Sequence, residues 1–519
     1  MKSFIRKAVC PTCGKIAVEK SCIAFSTNKL ISLECGHIVS ESVLAGADYS
    51  SIISSDGRKL MPYQIEGVKF IEQANGRALI GDEQGLGKTV QALSFVKLHL
   101  NELGPVVIAT KTSLKLQWMH EVLRWIGTRN VQVITTSKEF AMPGFDIYII
   151  TYDILKSDSV FSMVDIKTLI LDECQAIKNH ISGRAKAVQS IVDNHKIEHV
   201  IGLSGTPIKN HAGEYFTILN LLNPTRFPTH AGYLQRYCDT YDGGMYGPKV
   251  GGLKNPELFH QQTADFIIRR TKDEVLKDLP SLTRSFYHIE LQKNVTSAYN
   301  EASAELEKLF YADEDENTMT SMIAIMTKMR QITGVSKVEA AIEFVTDFLL
   351  STDRKITVFV HHKLVHSLLR EKLTQWLKDG GYSPLLEISS EMNADARALA
   401  CKKFAESEYR VMIASTLAAG EGLNLQFCSD AIMLERQWNP ANEEQAEARF
   451  HRYGQKNAVN ITYMIASETI DEYFTEIVEQ KRAIVASTLD NKEIAWESNN
   501  LMRELASVIV AKGGKRFTL

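Results

Sequence analysis

The chain has 519 residues, of which 45% are hydrophobic and 23% charged, and its formal net charge is −3. That is room for roughly three to four domains of about 150 residues each, and the near-neutral balance excludes a uniformly basic coat while leaving a local basic groove possible. No run of 18 apolar residues offers a membrane span, and the N-terminus lacks the apolar stretch of a secretory leader, so a cytoplasmic location is expected.

Eight cysteines are too few for a disulfide scaffold of this length, and four of them fall within the first 35 residues. Cys10 and Cys13 form a C-x-x-C knuckle, and Cys35 and His37 offer a second pair. Zn²⁺ takes four sulfur or nitrogen ligands in a tetrahedron, so Cys10, Cys13, Cys35 and His37 are the expected set, with Cys22 as the alternative ligand. A module of about 45 residues buries little apolar surface, and metal ligation would supply much of its folding energy. Unliganded thiols are the other reading. Residues 1–45 are therefore expected to be a zinc-binding module, followed by a linker over 46–58 rich in Ser, Asp and Gly.

From residue 59 onward, short β-branched runs alternate with helical stretches. Examples are Val106 to Ala109, Asp146 to Thr151, Thr168 to Leu171 and His199 to Leu203. This rhythm predicts an α/β lobe with a mostly parallel sheet over 59–285. Gly, Pro and Tyr break the rhythm at about 209–262, which predicts a helical insertion. Residues 286–340 are expected to be a helical interlobe segment. The rhythm resumes over 341–480, a second α/β lobe, and 481–519 is expected to be a helical tail.

Gly81 to Thr89 (GDEQGLGKT) follows the apolar Ala78-Leu79-Ile80 and precedes a helical stretch, and strand, glycine loop, helix is the setting of a phosphate cradle. The nucleotide-binding set is Asp82, Gly85, Gly87, Lys88 and Thr89, with Lys88 reaching the β/γ-phosphates and Thr89 the Mg²⁺. Asp82 stands where the strict G-x4-GK[ST] spacing has glycine. Taken alone, the loop is also compatible with a tight strand–helix turn. Asp172 and Glu173 close the apolar run Thr168 to Leu171, at the strand end where open α/β sheets bind ligands. Asp172 is read as a Mg²⁺ ligand and Glu173 as the group that orients or deprotonates water; in isolation such a pair is often merely solvated. Leu203 to Asn210 (LSGTPIKN) is read as a sensor of nucleotide state. Far downstream, Gln445 to Gln455 (QAEARFHRYGQ) places Arg449 and Arg452 three apart, on one face if the segment is helical. Guanidinium groups there would stabilise transition-state charge, an effect worth about 10³–10⁵ in rate.

These motifs, in this order over residues 59 to 480, resemble those of the Swi/Snf-related ATPases of helicase superfamily 2. Further matches are Pro62-Tyr63-Gln64, the segment Phe266 to Pro280 with Arg269 and Arg270, Met329-Arg330-Gln331, Thr416 to Leu425 and Trp438-Asn439-Pro440. The resemblance implies two RecA-like parallel-sheet lobes in tandem, ATP hydrolysis with Mg²⁺, an adenine contact from Gln64, and tracking along double-stranded DNA. It also implies DNA-backbone contacts from Lys111, Thr112, Thr151, Lys178 and Asn179 in the first lobe, and from Thr416, Gly420 and Asn424 in the second. Trp118 and Trp438 are expected to be core aromatics. Two departures stand out. Cys174-Gln175 occupy the positions where the family has Ala or Gly and then His, and the stretches between motifs are short, as in a compact bacterial, archaeal or viral form.

The expected activity is that of a DNA-dependent ATPase, a monomer that remodels DNA structures or protein–DNA complexes, with DNA-bound proteins as further partners. A strand-separating DNA or RNA helicase is the alternative, and a nucleotide-gated binding module without turnover is the reading from another class.

Overall fold

A computed structural model describes residue 49 and residues 52–490, apart from 209–210, 242–248, 292, 312–315, 390, 407, 420–422 and 438–439, together with four strands near the N-terminus. Those strands, β1 (Lys7–Val9), β2 (Ile16–Ala24), β3 (Lys29–Leu33) and β4 (Ile38–Ser40), form an antiparallel sheet in sequential order. Cys10, Cys13, Cys35 and His37 lie outside the described residues, and the alternative ligand Cys22 falls within β2.

The first lobe is built on β5 (Arg77–Ile80), β6 (Val106–Thr110), β7 (Val131–Val133), β8 (Ile147–Thr151), β9 (Thr168–Asp172) and β10 (His199–Leu203). A short β13 (Ile267–Ile268) returns to its edge after β11 (Cys238–Tyr241) and β12 (Lys249–Leu253) have formed a separate antiparallel pair. The sheet order is β13-β5-β10-β9-β6-β8-β7 and every pairing is parallel. Its strands are near-continuous apolar runs because helices cover both faces. Leu79, Val107, Ile150 and Leu171 point into one core, while Ile80, Ile108, Ile149 and Ile170 point into the other. Each fully buried side chain of this kind contributes roughly 1.5–3 kcal/mol.

The second lobe is a six-stranded parallel sheet in the order β14-β19-β18-β15-β17-β16. Its strands are β14 (Leu282–Ile289), β15 (Ile356–Val360), β16 (Leu386–Ile388), β17 (Val411–Ser415), β18 (Asp430–Met433) and β19 (Val459–Ala466). Helices Lys293–Phe310, Glu316–Ser336 and Val338–Ser351 come between β14 and β15.

Two boundaries differ from the sequence expectation. The segment expected to be a helical insertion carries helices Phe216–Leu222, His230–Tyr237 and Pro256–Thr263, but also the β11–β12 pair. And β14, which was expected to lead into interlobe helix, is the edge of the second sheet; its side chains are largely exposed, so its sequence lacks a buried strand's apolar run.

Candidate active site between the lobes

The sheet order explains why the distant motifs meet. β5, β10, β9 and β6 are neighbours, in a register that pairs Ile80 with Leu203 and Leu203 with Asp172. The loops that leave these strands therefore emerge side by side at one carboxyl edge. Gly87 holds φ at +77° as the N-cap of the helix Lys88–His99, a left-handed conformation that glycine adopts without strain. Lys88 is half-buried and donates to the carbonyls of Asp82 (2.9 Å) and Glu83 (3.4 Å). Burial lowers its pKa, against the opposing pull of Glu173, Asp82 and Asp172.

Asp172 ends β9 with one carboxylate oxygen, Oδ2, accepting from Thr110 Oγ1 and Trp118 Nε1, both at 2.7 Å. Burial, reinforced by the neighbouring charge of Glu173, pushes its pKa up to about 6. Glu173 adopts φ +48°, ψ +54°, a left-handed conformation uncommon for a residue with a side chain. Gln175 donates its amide to Glu173 Oε2, and its Oε1 accepts from Ser204 Oγ at 2.6 Å. Ser204 Oγ in turn accepts from the Thr206 backbone N–H at 3.0 Å. Gln175, standing where the related pattern has His, thus joins the acidic pair to the SGTP loop by donating on one side and accepting on the other.

The second lobe completes the cleft. Lys88, Thr89, Asp172, Glu173, Arg449 and Arg452 line one cavity of about 170 Å³ together with Gly85 and Gly87. Where Gly85 stands, a Cβ would meet Arg452 Cβ at 3.3 Å, so the lobes are in close contact here. The condition of a helix at the arginines is not met: helix Pro440–Glu447 stops before them, Arg449 lies in the turn that follows and Arg452 in the bend after it. Thr89 and Asp172 bring hard oxygen donors to the same cavity. Asp172 carries the electrostatic penalty that a divalent cation would relieve, so the donor set fits Mg²⁺.

Two residues assigned to the nucleotide sit differently from that expectation. The Asp82 carboxylate is fully buried, held by Arg270 Nη2 (2.6 Å) and Nε (3.0 Å) and by Gln91 Nε2 (2.8 Å), which leaves only its carbonyl facing Lys88. Its role is to brace the loop. Gln64 is buried, donates to the Leu86 carbonyl at 3.2 Å and accepts from the Met61 N–H at 2.9 Å. It backs the loop at Gly87 rather than lining the cleft. Sequence reasoning missed Thr110 and Trp118 as holders of Asp172; the parallel pairing of β6 with β9 is what brings Thr110 there.

A second, larger groove of about 1100 Å³ opens next to the cleft and gathers Lys111, Thr112, Thr151, Lys178 and Asn179, with Arg397 reaching in from the second lobe. Lys111 and Glu173 line both spaces. Lys178 is already paired with Glu214 at 2.5 Å. Of the second-lobe residues expected at the DNA backbone, Thr416 and Asn424 do not line this groove. Thr416 is buried and donates to the Val360 carbonyl at 3.3 Å, Asn424 lines a separate recess of about 640 Å³, and Gly420 lies outside the described residues. Arg330 is buried and donates to the Arg436 carbonyl, with its guanidinium 4.5 Å from the Phe474 ring centroid.

Among known proteins, residues 63–337 match the SNF2-related domain and residues 336–454 the Helicase conserved C-terminal domain. The chain belongs to the SNF2-related family, with two parallel-sheet α/β lobes in tandem. It is 29% identical over 448 residues to the mouse DNA annealing helicase and endonuclease ZRANB3, covering 84% of this chain and 41% of that protein. It is 30% identical over 441 residues to SWI/SNF-related matrix-associated actin-dependent regulator of chromatin subfamily A-like protein 1 of Xenopus tropicalis, covering 84% and 45% respectively. The chain thus spans less than half the length of these curated relatives. The Sulfolobus solfataricus SWI2/SNF2 ATPase core in complex with dsDNA aligns with a TM-score of 0.40 at 23% identity, over 84% of this chain and 93% of that one.

Proposed function

We propose that the chain is a DNA-dependent ATPase that hydrolyses ATP between its lobes to move along double-stranded DNA, and so remodels DNA structures or protein–DNA complexes. The observation that carries this reading is the sharing of Lys111 and Glu173 between the cleft and the adjoining groove. A change at the cleft is then felt directly at the track.

In the proposed step, Glu173 takes a proton from the attacking water while Lys88, Arg449 and Arg452 stabilise charge on the transferring phosphoryl group. The bond from the γ-phosphorus to the bridging oxygen breaks, leaving ADP and inorganic phosphate. Thr89 and Asp172 would hold Mg²⁺, which neutralises phosphate charge when bound. Lys111, Thr112, Thr151, Lys178 and Asn179 would meet the DNA backbone, with no base-reading element required. Zinc at Cys10, Cys13, Cys35 and His37, with Cys22 as alternative, belongs to this proposal on spacing alone; metal analysis giving well under about one equivalent would remove it. The domain boundaries, the monomeric state and the cytoplasmic setting are part of the same proposal.

The test is ATPase activity without nucleic acid, with single strands and with duplex, alongside triplex- and strand-displacement assays. Strong duplex stimulation with triplex but no strand displacement is the expected result. Efficient unwinding would replace translocation by strand separation, and absence of turnover under all conditions would leave only a binding module.

A further inference from the structure

Behind the cleft, on the far side of Gln84, lies a second interlobe cavity of about 270 Å³. Gln84 and Ala448 line both spaces and form the wall between them. Gly205, which lines the rear cavity, packs against this wall: a Cβ there would fall 2.5 Å from Gln84 Cγ and 3.2 Å from Lys88 Nζ. Three buried polar atoms are left without a protein partner at this wall, namely both amide atoms of Gln84 and the hydroxyl of Thr206, a residue only 3% exposed that lines the rear cavity. Unsatisfied buried polar groups are costly, so such a cluster calls for a ligand that satisfies it.

The lining of the rear cavity favours an anion. Its three carboxylates are already committed: Glu83 to Lys272 at 3.0 Å, Glu447 to Arg284 at 2.6 Å, and Glu444 to Arg482 at 3.1 Å. Arg269 faces the same space, with its Nη1 donating to the carbonyls of Gly81 and Gly205.

We propose that this cavity is a transit site for inorganic phosphate. After hydrolysis, the phosphate passes Gln84 into the rear cavity, where the Thr206 hydroxyl and the Gln84 amide replace part of its lost hydration, and leaves between the lobes while ADP still occupies the cleft. The inference rests on the ATPase reading above and adds an order of product release to it.

The experiment is a single turnover of the full chain with Mg-ATP and duplex DNA. Chemical quench follows hydrolysis and a fluorescent phosphate sensor follows release. Thr206→Val keeps the side-chain shape and removes the hydroxyl, and Leu282→Trp fills the rear cavity without touching the cleft. In both variants phosphate release is expected to slow by about tenfold or more, for Thr206→Val the weight of one hydrogen bond to a charged group, while the quench-measured hydrolysis rate of Leu282→Trp stays within about twofold of the parent's. Unchanged release in both variants overturns the proposal, and so does an equal slowing of hydrolysis and release. Absence of hydrolysis in the parent chain would instead sink the ATPase reading.

Discussion

Asp172 shows how much of a site's chemistry one side chain's surroundings can set. Its carboxyl is raised to about 6 by burial beside Glu173, while Thr110 and Trp118 donate to a single oxygen. Between its ordinary value and about 6, the folded chain binds more protons here than the unfolded one, so this residue's contribution to stability falls as pH rises through that window. Asp172→Asn keeps an oxygen for both donors and removes the charge. It is expected to stabilise the metal-free first lobe by about 1–3 kcal/mol at pH 7, with the gain vanishing below about pH 4, while abolishing turnover. Urea unfolding at several pH values checks the first effect and an ATPase assay the second. Gln175→Ala tests the neighbouring relay: with the Glu173–Gln175–Ser204 connection cut, kcat is expected to drop roughly tenfold or more while nucleotide affinity holds. Equal kcat would show that the relay is only structural. The Asp-Glu pair was legible in the sequence because an apolar strand ended on it. Thr110 and Trp118 were not, because nothing in a linear reading says which strand will lie beside which.

At the level of elements, the buried strands were the easiest to read, since strands covered on both faces must be apolar throughout. β14 escaped because it is an exposed edge, and the arginine pair reaches the cleft without the helical setting that would have put both on one face, because the helix before it ends at Glu447. Asp82 looked like a cradle residue from its position alone; its ion pair with Arg270, 188 positions away, depends on β13 returning to β5. The second lobe contains a pairing equally invisible in one dimension. Lys337, only 1% exposed, is bound to Asp471 at 2.5 Å, and Asp471 also accepts from Thr333 Oγ1 at 2.9 Å. This ties the start of helix Val338–Ser351 to the first turn of helix Ile470–Asp490. Asp471→Ala would leave the lysine charged in a dry site. The expected loss is about 3–5 kcal/mol in the second lobe, seen as a lower urea midpoint, and a change under about 1 kcal/mol would mean that water reaches the lysine.

For the whole molecule, the question is how a cleft of about 170 Å³ drives events in a groove of about 1100 Å³. The arginines belong to one lobe and the phosphate cradle to the other, so a nucleotide in the cleft is gripped fully only when the lobes are closed. Lys111 lines both spaces and sits just past the end of β6, whose Thr110 holds Asp172. Two substitutions should therefore separate chemistry from track. Arg452→Ala removes a cleft cation and leaves the groove intact. Turnover with duplex is expected to fall by about 10²–10³, with nucleotide-free duplex affinity unchanged and its dependence on salt the same. Lys111→Ala removes a cation shared with the groove. Duplex affinity should weaken, and the slope of its logarithm against log salt should become shallower by about 1, the signature of one fewer phosphate contact. DNA stimulation of turnover should fall with it. If Lys111→Ala lowers basal turnover alone and leaves the salt slope untouched, this lysine serves the nucleotide only, and coupling between cleft and groove must run through Glu173 and the Gln175–Ser204 relay.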